Sequence, residues 1–152
     1  MTLKEYPQEQ LAAQAIGYWT GAANTIIING IRKALAQEDL TQPHWWILNH
    51  LSATPATWTR TTLTAKLARF DTQHLDFEAL YDDLATRGWT TETPDHRLTL
   101  TEAGEAGRRR ARARTRPVHE RMHAGIDTPE YTAAVNVLRR MIDNLGGDSD
   151  LP

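Results

Sequence analysis

Apolar residues recur at helical spacing through most of the chain and alternate only once, over a few residues near the middle. From Pro7 to Leu35, positions Leu11, Ala15, Trp19, Ala23, Ile26, Ile27, Gly30, Ile31 and Ala34 hold a helical period for about seven turns. Pro7 suits a first helical position, and no charge falls between Glu9 and Arg32. The pattern predicts one long helix, apolar on most sides. A small domain rarely covers such a helix alone, so a partner subunit is expected to cover part of it. The alternative is a central core helix in a monomer.

Leu40 to Leu51 predicts a second helix, capped by Thr41, with Pro43 in its first turn. Trp45, Leu48 and Leu51 are expected to face the core, with Trp46 and Ile47 widening the apolar surface. A third helix starts at Thr57 or Thr59 and carries Leu63 and Leu67. A fourth carries Phe77, Leu80, Tyr81 and Leu84 and stops at Gly88. Trp89–Thr93 and Arg97–Thr101 flank Pro94-Asp95 and read as a short hairpin. Thr101, followed by Glu102 and Glu105, opens a long helix that Pro117 is expected to kink and Gly125 to end. Asp127 caps a last helix with Ala134, Val135, Leu138, Met141, Ile142 and Leu145 on one stripe, ending at Gly146-Gly147. Helix, turn, helix and hairpin make a winged helix, a unit that most often handles duplex DNA.

Composition adjusts this reading only slightly. The 152 residues carry a net charge of −2, not the basic balance common among nucleic-acid binders. There is no cysteine, which excludes thiol catalysis, disulfides and thiolate metal sites. No apolar run is long enough to span a membrane and the N-terminus has no leader pattern, so a soluble cytoplasmic protein without a membrane partner is expected. Glycine-rich phosphate loops and G-x-S-x-G are missing, and Asp82 and Asp83 are adjacent, so they point apart on a helix. The expectation is therefore no enzyme and no cofactor. His119 and His123 share a helix face, but no third ligand stands beside them, so no metal is expected.

The order of elements resembles the MarR family of winged-helix transcriptional regulators. Leu40-Thr41-Gln42 through Trp45 and Leu48 resemble its second helix. Leu84, Gly88 and Trp89 stand where its recognition helix meets the wing. Asp95-His96-Arg97 resembles its wing-tip Asp-x-Arg, and Leu100-Thr101-Glu102-Ala103-Gly104 its "LT..G" start of the long helix. Pro117 and the stretch from Gly125 to Glu130 fit its C-terminal helices. The resemblance implies a mainly α fold with a small β-wing, a winged helix-turn-helix core and long N- and C-terminal dimerisation helices. It implies a single MarR-like chain, 1–152, with residues 7–35 and 105–146 in a helical dimerisation body and 40–104 in the winged helix-turn-helix. It further implies a homodimer that binds a palindromic operator on double-stranded DNA as a ligand-responsive regulator, in the repressor sense, released by a small aromatic effector. Two departures stand out. Between Leu63 and Gly88 the chain is roughly three residues longer than the family's pattern, in or near the turn. The wing is also shorter.

The residues expected to face DNA are Thr59, Arg60, Lys66 and Arg69 on the third helix, Gln73 and His74 before the fourth, Arg87 at its end, and His96 and Arg97 at the wing tip. Against them, the outer face of the fourth helix offers Asp76, Glu78, Asp82 and Asp83 to a polyanion. Three accounts are open. Gln73 and His74 enter the groove while the acids turn away; or the surrounding basic residues outweigh the acids; or the fold survives as a module that binds a small molecule or a protein and no longer reads DNA. The run Arg108, Arg109, Arg110, Arg112, Arg114 and Arg116 is either a solvated face paired with acids such as Asp82 and Asp83, or a phosphate-contacting patch behind the wing. The aromatic cluster of Trp19, His44 and Trp45, with His50 beyond, is either core and interface or the lining of a ligand site between the first two helices.

Overall fold

The computed structural model describes residues 3–151 and divides into two compact units, with the boundary between Val118 and His119. The first unit holds α1 (Gln8–Ala12), α2 (Ile16–Ala36), α3 (Gln42–Ala53), α4 (Arg60–Leu67) and α5 (Phe77–Thr86), then strands β1 (Thr90–Glu92) and β2 (Leu98–Leu100). Helix α6 (Glu102–His123) begins in the first unit and its last residues enter the second, which also contains α7 (Thr128–Asn144).

Local chemistry sets most boundaries. The Thr41 hydroxyl caps α3, and His44 returns the bond: Thr41 N–H donates to its Nδ1 at 3.1 Å. Thr59 and Thr62 form the same reciprocal cap on α4, and Asp127 and Glu130 on α7. Asp76 caps α5 through the Glu78 and Ala79 amides. Gly88 and Gly146 follow α5 and α7 at φ near +70 and +75°, where a side chain is strained.

The core of the first unit is built from Leu35, Leu40, Ile47, Leu48, Leu51, Leu63, Leu67, Phe77, Leu80, Tyr81, Leu84, Trp89, Leu98 and Ala111. Each fully buried leucine here contributes about 1.5–3 kcal/mol over an exposed one. The wing pairs antiparallel, Thr90 with Leu100, Thr91 with Thr99 and Glu92 with Leu98. Leu98 N–H also donates to the Trp58 carbonyl at 2.8 Å, so the segment before α4 flanks β2.

Two expectations need correcting. The helix predicted over Pro7–Leu35 is two helices, α1 and α2. Ala13 N–H turns back to the Glu9 carbonyl and Gln14 N–H to that of Leu11, and Ala15 is extended at φ −74°, ψ 111°. Nothing in the helix propensity of Ala13-Gln14-Ala15 requires this break. On α3, Ile47 is fully buried and Trp45 only half-buried, the reverse of their expected order. The helix packs against α2, α5 and β2, and Ile47 lies on the side they enclose. As the helical pattern beyond it predicts, Pro117 does not end α6, which runs through it to His123.

The connection between α4 and α5 is a 3-10 turn, Ala68–Phe70, and a loop organised by Asp71. The Asp71 carboxylate is buried and accepts the Gln73 amide at 2.9 Å and the Leu75 amide at 2.6 Å. Arg32 on α2 reaches the same loop through the Thr72 hydroxyl at 3.0 Å and holds Gln42 at 3.1 Å.

Two sets of apolar side chains are left open. In α2 only Ala34 and Leu35 are buried, while Ile16, Tyr18, Trp19 and Ile26 are exposed. In α7 no residue is buried, and Val137, Leu138, Met141 and Ile142 form an exposed stripe. Among the described residues, no helix is long and apolar enough to cross a membrane.

Candidate nucleic-acid interface

Helices α4 and α5 and the wing carry the residues expected at DNA, and a single side chain connects all three. Arg60 is the first residue of α4. Its Nη1 lies 3.0 Å from Glu78 Oε2 and 2.7 Å from Asp82 Oδ1, one turn apart on α5, and its Nε lies 2.8 Å from Glu92 Oε1 on β1. The guanidinium sits 5.5 Å from the Tyr81 ring centre, and the Tyr81 hydroxyl donates to the Arg60 carbonyl at 3.3 Å. The hydrogen bond that it donates to Asp82, then those to Glu78 and Glu92, raise the arginine's already high pKa against the opposing effect of burial. Arg60 thus stays charged and is occupied by three carboxylates.

The remaining acids of α5 are used locally. Asp76 is the cap. Asp83 turns inward, with Oδ2 at 2.8 Å from Arg87 Nε and 3.0 Å from His44 Nε2, ion-pair distances at which neither N–H is aimed straight at the oxygen. Arg87 also donates to the Glu38 and Asp39 carbonyls at 3.4 and 2.8 Å, tying the end of α5 to the turn after α2.

His44 is buried in this junction, and burial is the main cause that pushes its imidazole below the ordinary value; Asp83 pulls it up and Arg87 pushes it further down. Because Thr41 N–H donates to Nδ1, the ring proton of the neutral form sits on Nε2, toward Asp83. The unfolded chain therefore takes up a proton more readily than the folded one. The stability that neutral His44 contributes is present above about pH 6.5 and is lost as the pH falls from there through the lower folded-state value. His44→Gln keeps an acceptor at the capping-box position and does not titrate. In thermal melts it is expected to lose less Tm than wild type between about pH 7 and pH 5. An equal loss would place the acid sensitivity elsewhere.

The other expected DNA contacts are spread around this face. Thr59 is the α4 cap. Lys66 Nζ lies 5.8 Å from the Trp58 ring centre, and the Arg69 guanidinium stacks over Phe70 at 4.7 Å. Gln73 and His74 are exposed in the loop before α5, with His74 at φ 53°. His96 stands at the wing tip, mostly exposed, 3.6 Å from Glu92. Arg97 folds back from the tip: its Nη1 donates to the Thr57 carbonyl at 2.6 Å and its Nε meets Asp95 at 3.0 Å. The wing turn is therefore pinned to the start of α4.

Neither family models nor curated proteins match this chain. Solved structures do. A MarR-family transcriptional regulator from Rhodococcus sp. RHA1 is similar with a TM-score of 0.67 and 23% identity over 85% of this chain and 96% of its own. A MarR-family protein of Mycobacterium tuberculosis in complex with DNA is similar with a TM-score of 0.64 and 22% identity, over 88% of this chain and 99% of its own. CouR from Rhodococcus jostii RHA1 bound to p-coumaroyl-CoA gives 0.65 and 21%, over 92% and 97%. The chain has the MarR-family winged-helix fold.

Within this MarR fold, the arginine run of α6 is partly absorbed by acids, though by other acids than expected. Arg110 and Arg114 hold the two oxygens of Glu38 at 3.1 and 3.0 Å, and Arg108 grips Glu105 at 2.7 Å. Asp82 and Asp83 belong to Arg60 and to His44 and Arg87. The Arg114 hydrogen bond, helped by Arg110 and opposed by burial, lowers the Glu38 pKa. Arg108 holds Glu105 at about 2. Arg109 and Arg112 face solvent. Glu38 and Glu92 are the site residues that sequence reading missed: each lies dozens of positions from its arginine, and no local pattern marks the pairing.

The four residues expected at a ligand site have separate surroundings in this MarR fold. Trp19 stacks edge-on against Tyr18 and lines a groove of about 580 Å³ with Leu3, Tyr6, Leu11 and Ile16. His44 Nε2 lies 3.0 Å from Asp83 Oδ2. Trp45 packs against the core. His50 donates from Nδ1 to the Trp46 carbonyl, 2.8 Å away, and meets Trp58 edge-on. In the second unit, His123 packs its ring on Tyr131 at 4.7 Å.

Proposed function

We propose that the chain is a ligand-responsive transcriptional regulator that contacts DNA through α4, α5 and the wing and acts as a homodimer. The observation that carries this reading is the complete helix-turn-helix and wing with its outer face open, in a fold whose solved neighbours include one in complex with DNA. The homodimer is supported by the uncovered apolar side chains of α2 and, separately, of α7. A single chain gains nothing from exposing them, and exposed apolar patches of this kind mark partner surfaces. Two copies related by a two-fold axis would present two reading helices, which suits a palindromic operator and a repressor that occupies it. The helical segments 7–35 and 105–146 are the dimerisation body in this reading, and 40–104 the DNA-reading part.

CouR binds p-coumaroyl-CoA, and an effector with an aromatic group is our inference for this chain as well. Of the four aromatic residues considered, Trp19 offers the most open ring surface. DNA release by such an effector makes the regulator responsive rather than constitutive. Double-stranded DNA contacts are assigned to Thr59, Lys66, Arg69, Gln73, His74, His96 and Arg97, with Arg87 in a supporting position.

One observation favours a second reading, a module of the same fold that binds a small molecule or a protein and no longer reads DNA. Glu78 and Asp82 point outward on α5, and Glu92 stands beside them. A gel shift with DNA from immediately upstream of the protein's own gene, at low and moderate salt, separates the two. The regulator binds that DNA more tightly than bulk DNA, with affinity falling as salt rises. Absence of binding to either DNA at low salt selects the second reading.

A further inference from the structure

Resting on the DNA-binding reading, we infer that Arg60 is a positioning residue that masks the acids of the reading face, rather than a phosphate anchor. A basic residue at the start of α4 has the position of a phosphate contact. Its donors, however, are committed. Nη1 is shared between Glu78 and Asp82 and Nε is given to Glu92, all at 3.0 Å or less. The side chain is only about a quarter exposed, whereas the Glu78 and Asp82 side chains are 63% and 71% exposed. The cation therefore lies beneath the carboxylates, between them and the Tyr81 ring, and the acids form the outer layer.

This arrangement has an electrostatic consequence. A duplex approaching α5 meets carboxylates before it meets the guanidinium. Arg60 reduces the repulsion by offsetting their charge from behind, and it holds the carboxylates in fixed positions across three elements. Without it, Glu78 and Asp82 would face the phosphates with no basic side chain paired to them. The acidic face that argues against DNA binding in the sequence is thus partly neutralised within the protein.

Masking and anchoring differ in one measurable respect. A phosphate anchor acts on DNA independently of the acids, so removing the arginine and removing the acids have additive effects. A mask acts only through the acids, so the two changes are coupled. Binding to upstream and bulk DNA is measured for the full-length protein, Arg60→Ala, the double variant Glu78→Gln/Asp82→Asn, and the triple combination. For a mask, Arg60→Ala weakens both DNAs, and the gain from neutralising the acids is about tenfold larger in the Arg60→Ala background than in wild type. The triple variant then recovers most of the lost affinity, which lost packing around Tyr81 would not allow. Arg60→Lys, which retains charge without the fork, is expected to lie between wild type and Arg60→Ala. Equal gains in the two backgrounds overturn the inference and restore Arg60 as an anchor. Unchanged binding by Arg60→Ala overturns it while leaving the regulator reading in place. If wild type binds no DNA, the inference and the regulator reading fall together.

Discussion

Ile26→Asp is expected to leave the single chain folded and to abolish the dimer. Ile26 is 73% exposed, on a helix whose only buried residues are Ala34 and Leu35. An aspartate there stays in water in a monomer and changes its stability by no more than about 0.5 kcal/mol. In a dimer that covers α2, the same carboxylate is buried without a partner, which costs several kcal/mol. Sedimentation at micromolar concentration should change from dimer to monomer while the far-UV circular dichroism stays the same. Affinity for upstream DNA should drop by about a hundredfold or more, because the second half-site no longer benefits from linkage to the first. A variant that remains dimeric would put the interface on another face of α2 or on α7 alone.

Gly104→Ala is expected to be strongly destabilising for the addition of a single methyl group. Helix α6 passes so close to the end of α5 that a Cβ at residue 104 would lie 2.9 Å from the Trp89 carbonyl carbon, and nearer still to its oxygen. The obstacle is backbone and cannot swing aside. The same carbonyl accepts Thr101 N–H at 3.0 Å, and the Thr101 hydroxyl donates to Gly88 O at 2.6 Å. Relief requires moving α6 off the wing, at a cost of about 3 kcal/mol. For a chain of this length that is a loss of roughly 6–12 °C in Tm. Gly21→Ala is the control: a Cβ there meets nothing within 4 Å, and alanine favours the helix. If both variants melt alike, the crossing of α6 over Trp89 is looser than the geometry states.

Gly104 also shows how far the sequence could be read. As the last residue of Leu100-Thr-Glu-Ala-Gly it was recognisable as a motif, but its reason, the Trp89 carbonyl, lies across a helix crossing. Elements were legible wherever the signal is local. Thr41, Thr59 and Asp127 mark their helices, Gly88 and Gly146 end theirs, and the apolar period places Phe77, Leu80, Tyr81 and Leu84 inside. The break at Ala13–Ala15 was not legible, because alanine and glutamine suit a helix. One of the four acids on α5 was readable: Asp76 directly precedes an apolar helical run, the ordinary place for a cap. The others were not. Whether Asp83 turns in toward His44 and Arg87, and whether Asp82 meets Arg60 or an arginine of α6, depends on how helices distant in sequence pack. Charge identity is written along the chain, and charge partnership only in the fold.

The Asp71 loop bears on how such a chain can change length. Extra residues inserted between two helices usually loosen the second, because the longer tether has more conformations to lose. Here the connection brings its own fastening, a buried carboxylate that grips two of the loop's amides, with Arg32 holding Thr72 beside it. A connection anchored partway along does not pass its slack on to the next helix. Phe77, Leu80 and Leu84 then seat α5 against the core. A residue added ahead of Asp71 is therefore expected to be absorbed before that anchor rather than by α5.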